Sequence, residues 1–157
     1  MLAFGSAVAR RIGGQRFLIF SACAGVAGAM VHLMLHFEEQ APMIGASAAI
    51  SGQMAGALRF VFRARPGAYG PGMGRDLVAA PLATLGETLS DPRILLFLAI
   101  WVLLNVSFGL SALPISGVPS GSGVAWEAHI GGFLFGLFCF GYFDRPPEPT
   151  PERDDTF

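Results

Sequence analysis

Two short motifs hold a serine and a histidine, residue types that can act as a nucleophile and its base. Residues 45–52 read GASAAISG, with Ser47 as the third residue, and residues 128–136 read AHIGGFLFG, with His129 as the second. A serine hydroxyl becomes a nucleophile when an adjacent base, most often a neutral imidazole, takes its proton. The residue types therefore predict a Ser47–His129 pair, provided that the fold brings the two side chains into contact.

Other roles for these residues stay open at this point. A serine within a transmembrane helix usually donates to a carbonyl one turn earlier, and a single histidine near a helix end is usually a structural hydrogen-bonding group. Ser51, one turn after Ser47, is expected to pack or to form such a bond and not to be a second nucleophile. The motif at Ser47 is not the G-x-S-x-G elbow of soluble hydrolases, so it gives that fold no support.

The composition indicates which elements must position these residues. The chain has 157 residues, of which 53% are apolar and 13% are charged, about half the charged share of a soluble domain. This composition excludes a disordered chain. The net charge of −1, without a basic run, excludes nucleic acid as a partner. The sequence predicts an integral membrane protein, with the lipid bilayer as its first partner.

Four stretches are long enough to cross a bilayer, which requires about 20 mainly apolar residues. They are Phe17–Phe37, Met43–Phe62, Ile94–Leu113 and Val124–Tyr142. Met1–Ile12 is about half the required length, and we interpret it as the end of a helix that begins outside this chain. The expected fold class is an all-α membrane protein, a polytopic bundle of four full transmembrane helices and a partial N-terminal one.

The arginines predict the orientation of the bundle. If the four spans alternate, all ten positive charges lie on one side of the membrane, and that side is the cytoplasm. Arg59 is expected to snorkel towards this side, and the short apolar segment Leu77–Gly86 to rest on the cytoplasmic membrane surface. Residues 1–143 would form the membrane domain and 144–157 a disordered cytoplasmic tail. We expect a multi-pass protein of a bacterial inner (plasma) membrane.

Both motifs enter the membrane from the non-cytoplasmic side. Ser47 and His129 follow the starts of their spans by four and five residues, which places both about 6 to 8 Å below the helix ends. Glycines on a helix face let two backbones approach closely. The glycines expected to bring the two helices together at the site are Gly45 and Gly52 in the second span and Gly132 and Gly136 in the fourth.

Further polar residues lie within or beside the spans. His32 and His36 are spaced i, i+4 on one helix face, but the pattern fixes no third ligand, so we predict neither a metal nor a cofactor. Glu127 precedes His129 by two residues and lies on a different helix face, where it would not orient the imidazole. Asn105 lies in the middle of a span and is expected to bond to a neighbouring helix.

Taken together, the two motifs resemble those of the rhomboid family of intramembrane serine proteases. The stretches Phe4-Gly5, Arg11-Ile12-Gly13 and Arg16-Phe17-Leu18 are similar to the end of that family's second helix and the start of its third. The resemblance implies a six-helix bundle with a water-filled site that opens outwards. It also implies Ser47 as nucleophile and oxyanion donor through its backbone N–H, His129 as general base without a third acid, and transmembrane proteins as substrates.

The chain also departs from the family pattern. The first helix, the loop after it and most of the second helix have no counterpart here, nor have the His and Asn with which the second helix helps to bind the oxyanion. Ala48 stands where the family most often has glycine. Two functions are therefore open: an intramembrane serine endopeptidase, or a catalytically impaired rhomboid-like protein that binds transmembrane clients.

Overall fold

The computed structural model describes residues 2–37, 46–63, 80–109 and 125–144. Within these ranges all regular structure is helical, in six segments. They are α1 (Leu2–Ile12), α2 (Gly14–Leu35), α3 (Ser47–Val61), α4 (Leu85–Ser90), α5 (Pro92–Gly109) and α6 (Trp126–Phe143). The prediction of an all-α bundle is confirmed.

The helices correspond to the predicted spans with shifted ends. Helix α2 begins three residues earlier than expected, since Gly13, with a φ of 81°, separates it from α1. Among the described residues, α2 is the one helix both long and apolar enough to cross a membrane by length and composition, and Pro92–Ser107 is apolar but shorter. Four full spans stay a prediction. The predicted ends at 43–45 and 110–113, and the tail beyond Asp144, lie outside the described residues.

Helices α2, α3 and α6 pack against one another through small residues. A Cβ atom added to Gly52 of α3 would lie 2.5 Å from the Cβ of Ala24 in α2 and 2.9 Å from the carbonyl oxygen of Gly132 in α6. A Cβ added to Gly28 of α2 would meet both Ala48 and the Ala128 carbonyl. Between helices in lipid, such close contact yields the van der Waals packing that holds a bundle together.

The bundle has two chemically different ends. The arginine end contains the start of α2 and the ends of α1, α3 and α6, with its polar residues Arg11, Arg16, Arg59 and Asp144. The histidine end contains the end of α2 and the starts of α3 and α6, with its polar residues His32, His36, Ser47, Glu127 and His129. Phe20, Phe60 and Phe140 are fully buried in a core near the arginine end, where Phe20 and Phe140 meet edge to face at 5.5 Å.

Among the described residues, two arginines are buried, and both fasten the chain at the arginine end. Arg11 donates to both carboxylate oxygens of Asp144, at 2.6 and 2.8 Å, and to the carbonyl of Ala80 at 2.7 Å. Arg59 donates to the carbonyl of Ala83 at 2.9 and 3.1 Å and to that of Leu137 at 3.3 Å. Each guanidinium therefore joins helices to the segment that precedes α4.

These contacts correct two expectations. Arg59 does not snorkel, because the carbonyls it reaches lie inside the protein and leave it only 8% exposed. The described part of Leu77–Gly86 is not a separate segment on the membrane surface, because Ala80 and Ala83 are buried against the bundle. The arginines that hold this segment by its carbonyls were visible in the sequence, but their acceptors were not.

Helix α4 begins with a capping box. The Thr84 hydroxyl accepts from the Glu87 N–H at 3.2 Å, and the Glu87 carboxylate accepts from the Thr84 N–H at 2.8 Å. The Thr84 N–H, together with an ion pair to Arg63, lowers the pKa of Glu87 from 4.5 to about 2. This short helix therefore has a fixed start, which turns the chain into α5.

Candidate active site

Ser47 is the first residue of α3. Its side chain is exposed, and Ala46 before it supplies no side-chain cap to the helix. The first intrahelical bond of α3 runs from the Ile50 N–H to the Ala46 carbonyl. The N–H groups of the first helical residues, Ser47 included, have no carbonyl partner within the helix. The hydroxyl thus lies beside backbone donors at the positive end of a helix dipole.

Ser51 occupies the next turn of α3. Its hydroxyl donates to the Ser47 carbonyl at 3.0 Å, and its side chain is buried. This is the bond to the preceding turn that a serine in a membrane helix commonly makes. Among the described residues, the Ser51 hydroxyl therefore has a structural hydrogen bond and the Ser47 hydroxyl has none.

His129 is the fourth residue of α6, and its imidazole is half-buried. Its Nδ1 lies 2.6 Å from the Asn105 Oδ1, while the Asn105 Nδ2 donates to the Trp101 carbonyl at 2.8 Å. Because the amide oxygen can only accept, Nδ1 must carry the hydrogen of that bond. In neutral His129 the lone pair is then on Nε2, the nitrogen that could take a proton from a hydroxyl.

The contact between α3 and α6 brings the two motifs to one end of the bundle. A Cβ added to Gly132 would overlap the Ala48 backbone, and one added to Gly136 would overlap the Gly52 backbone. Ala48 follows Ser47 directly, and Gly132 is three residues after His129. Among the hydrogen bonds of the described residues, none joins Ser47 to His129. Gly45 lies outside the described residues.

Glu127 turns away from His129 and faces α2. Its carboxylate oxygens lie 3.8 Å from the His32 Nδ1 and 3.8 Å from the His36 Nε2. The two imidazoles stack with their centroids 4.6 Å apart. The histidine end therefore holds a second polar group, made of α2 and the first turn of α6, on another face from His129.

The sequence pointed to these polar residues but not to their partners. Asn105 was expected to bond to a neighbouring helix, and its partner turns out to be the predicted base. Glu127 is the third member that the His32–His36 spacing could not supply. An amide in the apolar run of α5 signals that a partner exists, but the rotation and depth of each helix decide which one.

The described residues form a helical bundle with small-residue contacts, and a serine and a histidine, the residue types of a serine hydrolase, lie at one end of it. A scan against protein families matches the Rhomboid domain over residues 1–146. The chain belongs to the rhomboid family and is an integral membrane protein; members of this family are generally intramembrane serine proteases. Searches of curated proteins and of solved structures gave no match.

Proposed function

We propose that the protein is an intramembrane serine endopeptidase that cleaves transmembrane proteins at or near their membrane-spanning segments. The observation that carries this proposal is the backbone contact between Ala48 and Gly132. It sets the first turns of α3 and α6, with Ser47 and His129, at the same end of a rhomboid-family bundle. Nucleophile and base would thus come from two touching helices.

In the proposed reaction, the His129 Nε2 takes the proton of the Ser47 hydroxyl as Oγ attacks the scissile carbonyl. The tetrahedral intermediate collapses when His129 returns the proton to the leaving amine, which leaves an acyl ester on Ser47. Water, deprotonated by the same imidazole, then releases the second product and restores the hydroxyl. Asn105 acts as a positioning residue, since its Oδ1 holds the hydrogen on Nδ1.

The start of α3 supplies the oxyanion donor in this proposal. The Ser47 N–H is among the backbone donors without an intrahelical partner, and the helix dipole favours negative charge at this position. A donor of this kind contributes about 10²–10³ in rate when it points at the developing oxyanion. Ala48, next in the chain, is packed against Gly132 and so fixes the direction of this turn.

The proposed orientation follows from the two ends of the bundle. With four spans, the arginine end lies in the cytoplasm and the histidine end outside, as in a multi-pass inner-membrane protein. Cysteines placed at Phe37 and Gly86, both exposed, test this in a background with Cys23 and Cys139 replaced by serine. An impermeant thiol reagent should label F37C and not G86C in intact cells; the reverse pattern contradicts the orientation.

The proposed activity is tested by cleavage of a membrane-anchored reporter and by labelling with a fluorophosphonate. Ser47→Ala should abolish both. His129→Ala should lower both nearly as far, because nucleophile and base act as one unit. Ser51→Ala is the matched control, since it removes a hydroxyl on the same helix, one turn after Ser47. It should keep most activity. Equal activity of wild type and Ser47→Ala would contradict the proposal.

One observation favours a second function, a catalytically impaired rhomboid-like protein that binds transmembrane clients. No hydrogen bond joins Ser47 to His129 among the described residues. Active sites without substrate often have such loose geometry, so labelling with the fluorophosphonate decides between the two functions. Client crosslinking by the wild type without fluorophosphonate labelling would support this second function.

A further inference from the structure

We propose that His32, His36 and Glu127 bind a divalent transition-metal ion, with Zn²⁺ as the best fit, between the end of α2 and the start of α6. This site is independent of the proposed Ser47–His129 pair. His32 and His36 lie one turn apart at the end of α2, and Glu127 is the second residue of α6. Three ligands from two helices thus meet at the histidine end.

The distances suit a shared ion. One ligand atom from each residue lies within 4.8 Å of the other two, and each histidine–carboxylate pair is 3.8 Å apart. Two atoms that each lie about 2.1 Å from one tetrahedral Zn²⁺ are about 3.4 Å apart. Each histidine–carboxylate distance must shorten by about 0.4 Å, and the widest pair of ligand atoms, up to 4.8 Å apart, by about 1.4 Å, which rotation of partly exposed side chains supplies. The imidazole planes differ by 23°, so the two rings lie side by side on the face of α2 that meets Glu127.

The hydrogen bond of His36 leaves a lone pair on the nitrogen that faces Glu127. The His36 Nδ1 lies 3.3 Å from the His32 carbonyl, an acceptor, so Nδ1 carries the hydrogen and the Nε2 of neutral His36 carries a lone pair. That lone pair faces a Glu127 oxygen. The His32 Nδ1 is buried and has no hydrogen-bond partner among the described residues. Electron-rich atoms in such an arrangement are stabilised by a cation between them.

The donor types select the ion. Two imidazole nitrogens and one carboxylate suit Zn²⁺ and its neighbours, whereas Mg²⁺ and Ca²⁺ prefer oxygen ligands throughout. Three protein ligands leave a fourth position for water. A metal bound here would fasten the end of α2 to the start of α6, beside the contact of Gly28 with Ala128. It would thereby stabilise the first turn of α6, which also carries His129.

The test measures Zn²⁺ affinity of the purified full chain in detergent, by competition with a coloured chelator. Wild type should bind one Zn²⁺ per chain and no Mg²⁺, and Zn²⁺ should raise its midpoint of thermal unfolding. Removal of an outer-shell partner typically costs 10–100-fold in affinity, so removal of a ligand by Glu127→Gln or His36→Ala should cost on the order of 100-fold or more. Both variants should lose the thermal shift.

Three controls make the result specific. His129→Ala removes a histidine outside the cluster and should keep the affinity, as should replacement of Cys23 and Cys139 by serine. His36→Cys replaces one type of zinc ligand by another and should retain Zn²⁺ binding. A role of His36 in packing alone does not predict this retention. Helical content and gel filtration identify any variant that fails to fold. If the removal variants fail to fold, the Zn²⁺ affinities of wild type and His36→Cys decide whether the site exists. Absence of Zn²⁺ binding by wild type, equal affinity of Glu127→Gln, or loss of binding in the cysteine variant overturns the proposal.

Discussion

The polar groups at the arginine end of the bundle are paired inside the protein, whereas some of those at the histidine end are exposed or have no partner among the described residues. At the arginine end, Arg11 and Asp144 are paired at 2.6 Å, and Arg59 reaches two carbonyls. At the histidine end, Ser47 is exposed, and the buried His32 Nδ1 has no hydrogen-bond partner among the described residues. Buried polar groups that are fully paired stabilise one arrangement, and those left unpaired are costly. Under the proposed function, the arginine end holds the fold and the histidine end carries the reacting and metal-binding groups.

The first prediction breaks the arginine end. Arg11→Gln leaves the Asp144 carboxylate, whose side chain is 8% exposed, without its ion-pair partner. Loss of one partner of a buried pair costs about 3–5 kcal/mol, so the free energy of unfolding in detergent should fall by that amount. Arg93→Gln is the control, because the side chain of Arg93 is 66% exposed and surface pairs contribute little.

A double variant sharpens this prediction. Arg11→Gln combined with Asp144→Asn removes both charges, so no unpaired carboxylate remains, and it should be more stable than Arg11→Gln alone. If the losses in free energy of unfolding caused by Arg11→Gln and Asp144→Asn simply add in the double variant, the ion pair does not hold this end. Arg11 would then act through other contacts, such as those with the Ala80 carbonyl and the Phe60 ring.

The second prediction concerns the contact on which the histidine end depends. Gly132→Leu places a side chain where the Ala48 backbone lies. Since backbone cannot move aside as a flexible side chain can, we expect a loss of up to about 3 kcal/mol in stability and complete loss of proteolysis. The matched control is Gly86→Leu, because a Cβ added at Gly86 in α4 meets no atom within 4 Å.

Activity measurements distinguish a loss of folding from a loss of the contact between α3 and α6. Gly132→Leu should remain inactive even at low temperature, where the folded fraction is restored, because the helices that carry Ser47 and His129 are pushed apart. Wild-type cleavage by folded Gly132→Leu would mean that this contact does not position the two residues.

The helical plan of the bundle could be predicted from the sequence, because hydropathy is a property of whole helices; the orientation predicted from the arginines stays a prediction. Apolar runs of about 20 residues indicated where helices α2, α3, α5 and α6 lie, and the family resemblance is confirmed by the match over residues 1–146. Helix ends were less accurate, since Gly13 shifts the start of α2. The four-span count and the Ser47–His129 pair stay predictions.

The partners of individual side chains could not be predicted, because they depend on the depth and rotation at which helices dock. Glu127 was assigned correctly to a face away from His129, yet nothing in the sequence placed it opposite His32 and His36. The same applies to Arg59, whose acceptor at Ala83 lies 24 residues away along the chain. Local spacing determines the face of one helix, and tertiary packing determines what that face meets.

The third prediction concerns the link between α5 and the proposed base. Asn105→Leu keeps the size of the side chain but removes the oxygen that accepts from the His129 Nδ1. The imidazole would then lose its fixed tautomer and orientation. General bases contribute about 10²–10⁴ in rate, and loss of orientation should forfeit part of this, so we expect kcat to fall by about 10–100-fold.

Asn105→Asp tests whether Asn105 acts through His129 or only through packing. It restores an acceptor at the same position and should recover most of the kcat that Asn105→Leu loses, whereas a packing role predicts no recovery from a charged side chain in the bundle. KM should change little in both variants, since Asn105 bonds to His129 and to the Trp101 carbonyl and the proposed nucleophile lies on another helix. If kcat of Asn105→Leu equals that of wild type, the bond at 2.6 Å has no part in orienting the base. The two ends would then differ only in that the histidine end has unpaired polar groups. The bond from Asn105 would not prepare His129 for proton transfer.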